Sequence, residues 1–290
     1  MKILKLFIKT IYFDYLNRIF KTEPLYKTYS LNQFNKIKKK KNFKKIVVHM
    51  IWLTGKLTQI EIMCINSFIK NGFKVNLWTN KKIYNLPKNI KVMNINKVDN
   101  IKRHPVYKSG PHYMLETDVL RIKILYKYGG LYADTDMICN IPEKEFSELF
   151  DLPFLCSENH HKERSGLFIN NNLMYFPKPN DRFLNFVDNL YKNYALVKKI
   201  PWAMFGGKFF TILANNLKNF TPIIMKPIFA NPIPYWKSPD IFLHSLIKLT
   251  DQTAFVHLYN ERWRITKVDK NSNFKRGSTI DLMLKKYPNK

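Results

Sequence analysis

The sequence lacks three features that would place it in common classes of protein. No run of about 20 apolar residues occurs, so no segment is long enough to cross a bilayer as a helix. The three cysteines, Cys64, Cys139 and Cys156, show no Cys-x-x-Cys or Cys/His ligand spacing, which favours reduced, buried thiols. No Gly-x-x-x-x-Gly-Lys-Ser/Thr loop occurs, which argues against an enzyme that binds phosphates in that loop.

Acidic residues are also scarce. The chain has 21 Asp and Glu against 49 Lys and Arg, a net charge of +28. Such an excess favours a polyanionic neighbour, which can be nucleic acid, an anionic membrane surface or a phosphorylated substrate. Codon bias explains the bulk charge equally well, because Lys, Asn and Ile are abundant together. Hydrophobic residues at 46% predict a folded protein, and 290 residues suit one large α/β domain or two small ones.

Residues 1–44 are predicted to form a basic N-terminal extension. Apolar residues at helical spacing between Leu4 and Tyr15 predict a helix that either lies in a membrane interface or packs on the domain. Charges interrupt this stretch and no small-residue cleavage site follows it, so we do not expect a signal peptide. The lysine-rich segment 36–45 would be attracted to an anionic leaflet. We therefore expect a cytoplasmic protein, peripheral on the inner face of the membrane.

Residues 45–270 are predicted to form a Rossmann-like α/β domain with a mixed, mainly parallel central sheet, and residues 271–290 a C-terminal helix or tail. The apolar run 46–53 predicts a buried parallel strand. A helix over 59–70 and a strand over 74–79 complete a βαβ unit, and such sheets bind ligands at the carboxyl ends of their strands. The other predicted elements are helices over 111–128, 181–194 and 207–217 and strands over 90–95, 153–157, 167–169 and 254–259.

The most informative segment is a Gly-Gly turn followed by an Asp-x-Asp pair, Gly129-Gly130-Leu131-Tyr132-Ala133-Asp134-Thr135-Asp136. Alternate side chains of an extended segment share a face, so Tyr132, Asp134 and Asp136 are predicted to point the same way. Two carboxylates at a strand end suit a divalent cation, Mn²⁺ or Mg²⁺, that carries a diphosphate.

The helix before this segment carries Asp118 and Arg121, which share a face with Leu125. If Leu125 is buried, Asp118 and Arg121 lie at the edge of the helix–sheet packing. There a carboxylate can accept hydrogen bonds from sugar hydroxyls, and a guanidinium can bind a sugar oxygen or a phosphate. The alternative is an ordinary ion pair within the helix.

The pattern Asp-x-x-Arg followed by Gly-Gly-x-Tyr-x-Asp-x-Asp resembles the sugar-binding region of glycosyltransferase family 32. Relatives in that family include initiation mannosyltransferases, α-1,4-glycosyltransferases, and capsule and lipooligosaccharide enzymes of bacteria. The run from Ile46 to Trp52 is similar to the family's Ile-x-His-x-Ile-Trp start. The resemblance covers roughly residues 45–265 and implies the GT-A fold.

The resemblance implies roles in donor binding. Trp52 would lie against the nucleotide base, although a core tryptophan is the alternative. Asp118 and Arg121 would hold the donor sugar, and Tyr132 would support the ribose or the sugar. Asp134 would contact the ribose or sugar and a metal-bound water.

The resemblance also implies a metal shell and a catalytic set. Asp136 would be a direct metal ligand, and His257 would complete the shell together with Asp134, although a core histidine is as good an interpretation of His257. Trp263 would cap the diphosphate. Asn172 would lie on the acceptor side of the donor sugar and join Asp134, Asp136 and Arg121 as the catalytic residues, with Asn170 and Asn171 leaving the register open.

We therefore expect a metal-dependent, retaining glycosyltransferase. It would move a hexose or N-acetylhexosamine from a UDP- or GDP-sugar to a hydroxyl of a surface glycan, such as capsule or lipopolysaccharide, or of a lipid-linked acceptor. The alternatives are a nucleic-acid-binding protein and another metal-dependent, nucleotide-using transferase. Nucleic acid is not the expected partner, because outside residues 36–45 the basic residues are dispersed and lack interleaved aromatics.

Overall fold

The apolar run that begins at Ile46 folds as an inner strand of the main sheet. The computed structural model of the chain describes residues 26–37, 45–99, 112–161, 164–194, 205–217 and 220–289. The strands are β1 (Thr28–Tyr29), β2 (Val47–Ile51), β3 (Lys74–Thr79), β4 (Ile90–Asn94), β5 (Gly130–Ala133), β6 (Met137–Cys139), β7 (Phe154–His161), β8 (Arg164–Phe176), β9 (Ile223–Met225) and β10 (Phe255–His257). The helices are α1 (Leu31–Ile37), α2 (Gln59–Lys70), α3 (His112–Tyr128), α4 (Glu143–Leu149), α5 (Arg182–Tyr194), α6 (Gly207–Asn216), α7 (Pro227–Ala230), α8 (Asp240–His244), α9 (Asn260–Ile265) and α10 (Thr279–Lys286).

The main sheet is mixed and mainly parallel, which confirms the predicted fold class. Its order is β1-β9-β7-β8-β5-β2-β3-β4, and a second sheet pairs β10 with β6. Strand β8 runs antiparallel to both β7 and β5, and the other neighbours in the main sheet are parallel. The carboxyl ends of β2, β3 and β5 therefore meet at one edge, where the Asp-x-Asp segment begins.

Helix α2 has the bounds that the sequence predicts, because residues at both of its ends carry clear start and stop signals. Thr58 and Glu61 form a reciprocal capping box at its start, and the helix ends at Asn71-Gly72, where Gly72 has φ +91°. Strand β8 is instead much longer than the predicted 167–169. Three successive asparagines disfavour a strand locally, but pairing with β7 and β5 satisfies their backbone and overrides that preference.

Both chain ends, where they are described, pack on the domain. Strand β1 pairs with β9, and Phe34 of α1 is fully buried, so part of the predicted N-terminal extension contributes to the core. In the C-terminal segment, Ile280 of α10 is buried and the Tyr287 hydroxyl donates to the Cys139 carbonyl at 3.3 Å. The helix predicted within residues 1–20 lies outside the described residues. In the described ranges, none of the helices combines the length and apolar character that crossing a membrane requires.

The three cysteines are buried and unpaired, as predicted. Burial raises the pKa of the Cys64, Cys139 and Cys156 thiols above the usual range, so they stay protonated and act as small apolar groups.

The Gly129-Gly130 turn that joins α3 to β5 requires glycine at both positions. Gly129 has φ +64° and Gly130 has φ +93°, a conformation that side chains disfavour. A Cβ on Gly130 would lie 2.5 Å from the Val47 carbonyl oxygen, which belongs to the neighbouring strand β2. The turn can therefore bring β5 against β2 only without a side chain at Gly130.

Replacing Gly130 tests this constraint. We expect Gly130→Ala to lower the free energy of unfolding by roughly 3 kcal/mol or more, since it combines an unfavourable φ with a backbone clash. Urea denaturation measures the change. Gly55→Ala is the matched control, because a Cβ there meets nothing within 4 Å; an equal loss in both variants would show that the turn is not constrained.

Candidate active site

The Asp134-Thr135-Asp136 segment is a turn, which corrects the prediction of a continued strand. Strand β5 ends at Ala133, and the Met137 N–H donates to the Asp134 carbonyl at 3.1 Å, which closes the turn. Tyr132 and Asp134 still meet, because the Tyr132 hydroxyl donates to Asp134 Oδ1 at 2.7 Å. The turn brings Asp136 to His257 of β10 and to Asn260, which follows that strand.

Asp136 is buried and held by the segment that follows β10. Its Oδ2 accepts from the Asn260 N–H at 2.6 Å and lies 3.3 Å from His257 Nε2, and its carbonyl accepts from the Leu258 N–H at 3.0 Å. Burial alone would raise the pKa of Asp136, but His257 and the Asn260 N–H outweigh burial and lower it to about 2. Asp136 is therefore a carboxylate at neutral pH.

Asp134, Asp136 and His257 form a set of potential metal ligands. One ligand atom from each lies within 4.8 Å of the others. Burial alone would lower the pKa of His257. The nearby carboxylates, of which Asp136 has the largest effect, outweigh burial, so the pKa is raised overall. Two carboxylates and an imidazole converging on one point fit a divalent cation. His257, for which a core role was the alternative, thus faces the aspartates although it is only 7% exposed.

A second group of charges surrounds Arg121, which is buried beside the turn. Its Nη2 lies 3.3 Å from Asp118 Oδ1 and 3.5 Å from Asp134 Oδ1, and the guanidinium lies over the Tyr132 ring at 4.8 Å. Burial would lower the pKa of Arg121, but the charges of Asp134 and Asp118 outweigh burial and raise it. The pair Asp118–Arg121 is therefore not an isolated ion pair within a helix, because Arg121 also contacts the Asp-x-Asp turn.

Two successive asparagines of β8, Asn171 and Asn172, form hydrogen bonds with different groups of charges. Asn171 Nδ2 donates to Asp118 Oδ1 at 2.9 Å, and the Asn171 carbonyl accepts from Arg121 Nη1 at 2.7 Å. Asn172 points to the other face, where its Nδ2 lies 2.8 Å from His257 Nδ1 and 2.7 Å from Asn231 Oδ1. The structure therefore brings the predicted Asn172 to the metal side and adds Asn171 to the Arg121 side.

Sequence reasoning named Asn171 only as an alternative register for Asn172, and it missed Asn231. Alternation along a strand, which places neighbours on opposite faces, could have assigned Asn171 to the Arg121 side. No sequence signal indicated Asn231, which comes from the loop after α7 and whose Nδ2 donates to the Ser157 carbonyl at 3.0 Å. Gly206 also lies here, since a Cβ on it would come within 3.1 Å of Asp118 Oδ2.

The two tryptophans that were predicted to bind the donor, Trp52 and Trp263, differ in burial. Trp52 follows β2 at the same sheet edge, half-buried, with its indole N–H donating to the Gly55 carbonyl at 2.8 Å. Trp263 is fully buried, and its indole N–H donates to the Leu258 carbonyl at 2.8 Å. The structure does not bring Trp263 to the ligand atoms; its side chain instead holds the backbone of Leu258, whose N–H binds Asp136.

Two family models match parts of the chain that contribute to this site. Residues 13–147 match the model described as "Glycosyltransferase sugar-binding region containing DXD motif", and residues 114–200 match "TcdA/TcdB catalytic glycosyltransferase domain". Asp134 and Asp136 lie within both matches as an Asp-x-Asp pair, so this part of the chain is similar to the DXD region of glycosyltransferases.

Curated relatives match about a third of this chain and a smaller share of their own length. "Subversion of eukaryotic traffic protein A" of Legionella pneumophila is 30% identical over 112 residues, which cover 33% of this chain and 17% of the relative. "Inositol phosphoceramide mannosyltransferase 1" of Schizosaccharomyces pombe is 32% identical over 101 residues, covering 33% of this chain and 29% of the relative. The chain therefore spans only a minor part of these relatives.

Two solved structures that resemble part of this chain are named as glycosyltransferases. "PaToxG Glycosyltransferase" has a TM-score of 0.41 at 17% identity, covering 59% of this chain and 67% of that one. The apo form of the glycosyltransferase GlyE of Streptococcus pneumoniae TIGR4 has a TM-score of 0.41 at 14% identity, covering 84% of this chain and 63% of that one.

Replacing Arg121 tests its place in the DXD site. We expect Arg121→Met to lower the free energy of unfolding by about 3 kcal/mol or more, because the half-buried carboxylates of Asp118 and Asp134 lose their cation. The pKa values of both carboxyls are already raised by burial and would rise further. The loss should therefore be larger at pH 8 than at pH 5, where protonation relieves it.

Chemical denaturation at the two pH values measures the change. Arg264→Met is the control, since Arg264 pairs with Glu261 on the surface and should cost no more than about 1 kcal/mol. A pH-independent loss for Arg121→Met would contradict the role assigned to the two carboxylates.

Proposed function

We propose that this chain is a metal-dependent, retaining glycosyltransferase that moves a hexose or N-acetylhexosamine from a UDP- or GDP-sugar to a hydroxyl of a surface glycan or lipid-linked acceptor. One observation carries the proposal: Asp134 belongs to both groups of charges. Its carboxylate lies within 4.8 Å of ligand atoms of Asp136 and His257, and 3.5 Å from Nη2 of Arg121, the partner of Asp118. In a nucleotide sugar the diphosphate is bonded directly to the sugar. Its recognition therefore needs a metal-ligand set and a sugar-binding set side by side.

The metal-ligand set, which consists of Asp134, Asp136 and His257, suits Mn²⁺ or Mg²⁺. An imidazole among the ligands favours Mn²⁺, because Mg²⁺ prefers oxygen ligands alone. A bound cation neutralises the charge that develops on the leaving diphosphate. Asn172, on the other ring nitrogen of His257, fixes the orientation of the imidazole.

The sugar set, which consists of Asp118 and Arg121, would bind hydroxyls of the donor sugar. Asp118 can accept from them, and Arg121, held by Asp118, Asp134 and the Asn171 carbonyl, presents fixed N–H groups to sugar or phosphate oxygens. The half-buried ring of Trp52 would stack on the base. The fixed positions of these groups reduce the reorganisation that donor binding requires.

We propose that transfer occurs on one face of the sugar. The acceptor oxygen forms its bond to the anomeric carbon as the bond to the diphosphate breaks, and the bond electrons and the acceptor proton go to the diphosphate. Asp118 and Asp134 are paired with Arg121, and Asp136 with His257, so these carboxylates are ill suited as nucleophiles. A covalent glycosyl-enzyme trapped on any Asp or Glu would contradict this scheme.

The relatives suggest which substrates to try. Two fission-yeast relatives are named inositol phosphoceramide mannosyltransferases, which supports a mannosyl donor and a lipid acceptor as candidates here. A lipid acceptor would agree with a position at the inner face of a membrane, held by the lysine-rich segment 36–45.

Hydrolysis of nucleotide sugars tests the enzyme proposal. With Mn²⁺ present, the wild type should hydrolyse at least one member of a panel of UDP- and GDP-sugars, including GDP-mannose. Asp136→Ala should lower that rate by about 100-fold or more, since charge stabilisation at the leaving group is lost. It should also abolish the Mn²⁺-dependent rise in melting temperature.

Asp251→Ala, at an exposed position, is the control and should match the wild type in both measurements. No hydrolysis of any donor, together with tight and salt-sensitive binding of DNA or RNA, would overturn the enzyme proposal and favour the nucleic-acid alternative.

Liposome flotation tests the membrane proposal. We expect the wild type to float with vesicles containing anionic lipid and not with neutral vesicles. Replacing the four lysines at positions 38–41 with glutamine should reduce flotation strongly, because each contributes about 1 kcal/mol at such a surface. The control replaces four dispersed exposed lysines, Lys74, Lys81, Lys88 and Lys91. Equal flotation of wild type and the 38–41 variant would contradict the proposal.

A further inference from the structure

Glu158 is a carboxylate beside the site for which the transfer described above has no use. It lies on β7, and its Oε2 accepts from Asn170 Nδ2 at 2.8 Å. Among the described residues, no Lys or Arg forms an ion pair with it. Its side chain is half-buried, and burial raises its pKa. Asn170 and the Tyr259 hydroxyl supply hydrogen bonds to this carboxylate, which leaves part of the acceptor capacity of its two oxygens unused.

Asn170 connects Glu158 to the metal side of the site. Asn170 Oδ1 accepts from the Asn172 N–H at 2.9 Å, and Asn172 in turn binds His257. The charge of Glu158 acts on His257 and on Tyr259, whose ring packs against the His257 imidazole with the ring centroids 4.0 Å apart. Glu158 is thus connected to the metal ligand His257 through two asparagines, Asn170 and Asn172.

Strand alternation places Glu158 away from the sugar set. Asn171 faces Asp118, whereas Asn170 and Asn172 point to the opposite face of β8. The proposed donor would have its sugar at Asp118 and its diphosphate at the metal ligands. In transfer with retention on one face, the acceptor enters on the side of the leaving diphosphate, and this is the side where Glu158 lies.

Building on the proposed function, we propose that Glu158 and Asn170 form the acceptor subsite, in which Glu158 Oε1 accepts a hydrogen bond from the acceptor. The hydroxyl that reacts gives its proton to the diphosphate, so the hydrogen bond to Glu158 comes from a neighbouring hydroxyl, as in the vicinal diols of sugars. When water is the acceptor, one of its hydrogens faces the diphosphate and the other faces Glu158. Water therefore tests the subsite even though the natural acceptor is unidentified.

The experiment separates donor binding from turnover in Glu158→Gln. Asn170 Nδ2 holds the remaining side-chain oxygen of the glutamine, so its NH₂ group faces the acceptor and cannot accept a hydrogen bond. We expect the maximal rate of nucleotide-sugar hydrolysis with Mn²⁺ to fall by about tenfold, the loss of one hydrogen bond to a charged group. The dissociation constant of the same nucleotide sugar, measured by calorimetry, should stay within twofold of the wild type.

Glu145→Gln, at an exposed position of α4, is the matched control and should change neither quantity. Weaker donor binding in parallel with the slower rate would place Glu158 in the donor pocket and overturn the proposal, as would no change in either. If Glu158→Gln does not fold, Glu158→Asp is the second variant. Aspartate keeps the negative charge, but its shorter side chain moves the carboxylate away from the acceptor. The same result is expected: a slower rate with unchanged donor binding. A wild type that hydrolyses no nucleotide sugar would instead refute the glycosyltransferase proposal, and the acceptor subsite with it.

Discussion

The buried guanidinium of Arg121 holds together the polar residues of the candidate site. Arg121 emerges from α3 into a space where Asp118, Asp134 and the Asn171 carbonyl converge. Without its charge, two carboxylates would be buried close together at a prohibitive electrostatic cost. With it, the helix, the DXD turn and strand β8 are held by one planar group whose N–H directions are fixed. Stability and ligand recognition thus depend on the same side chain, which is a reason for arginine rather than lysine at this position.

The second constraint is the pairing of β6 with β10. The DXD turn leads directly into β6, so the antiparallel partner strand delivers His257 to the level of Met137, next to Asp136. The segment after β10 then supplies the Asn260 and Leu258 N–H groups to the same aspartate. The two aspartates of one short motif are therefore held by different parts of the chain, one by Arg121 and the other by the β10 segment, and this division agrees with the two ends of the proposed nucleotide-sugar donor.

Much of the fold was predictable because its signals are local. The apolar run of β2, the capped helix α2 and the glycine turn before β5 each carry their structure in a few adjacent residues. Predictions based on a local rule alone were less successful where pairing partners decide. Alternation predicted an extended Asp-x-Asp segment, but the chain turns there to enter the second sheet. Strand β8 exceeds its predicted length because β5 and β7 supply hydrogen-bond partners on both sides.

The candidate site divides in the same way. The sequence alone determined which charged residues to expect at the site: Asp118, Arg121, Asp134 and Asp136 are recognisable from their types and spacing, and the resemblance they carry implies the proposed sugar donor. The tertiary structure alone decided which distant residues join them. It brought His257 to Asp136, placed Trp263 in the core, separated Asn171 from Asn172, and added Asn231 and Glu158. The reason is physical, since spacing along the chain specifies only neighbours on one element. Contacts between elements depend instead on how strands pair and on which buried polar groups must find partners.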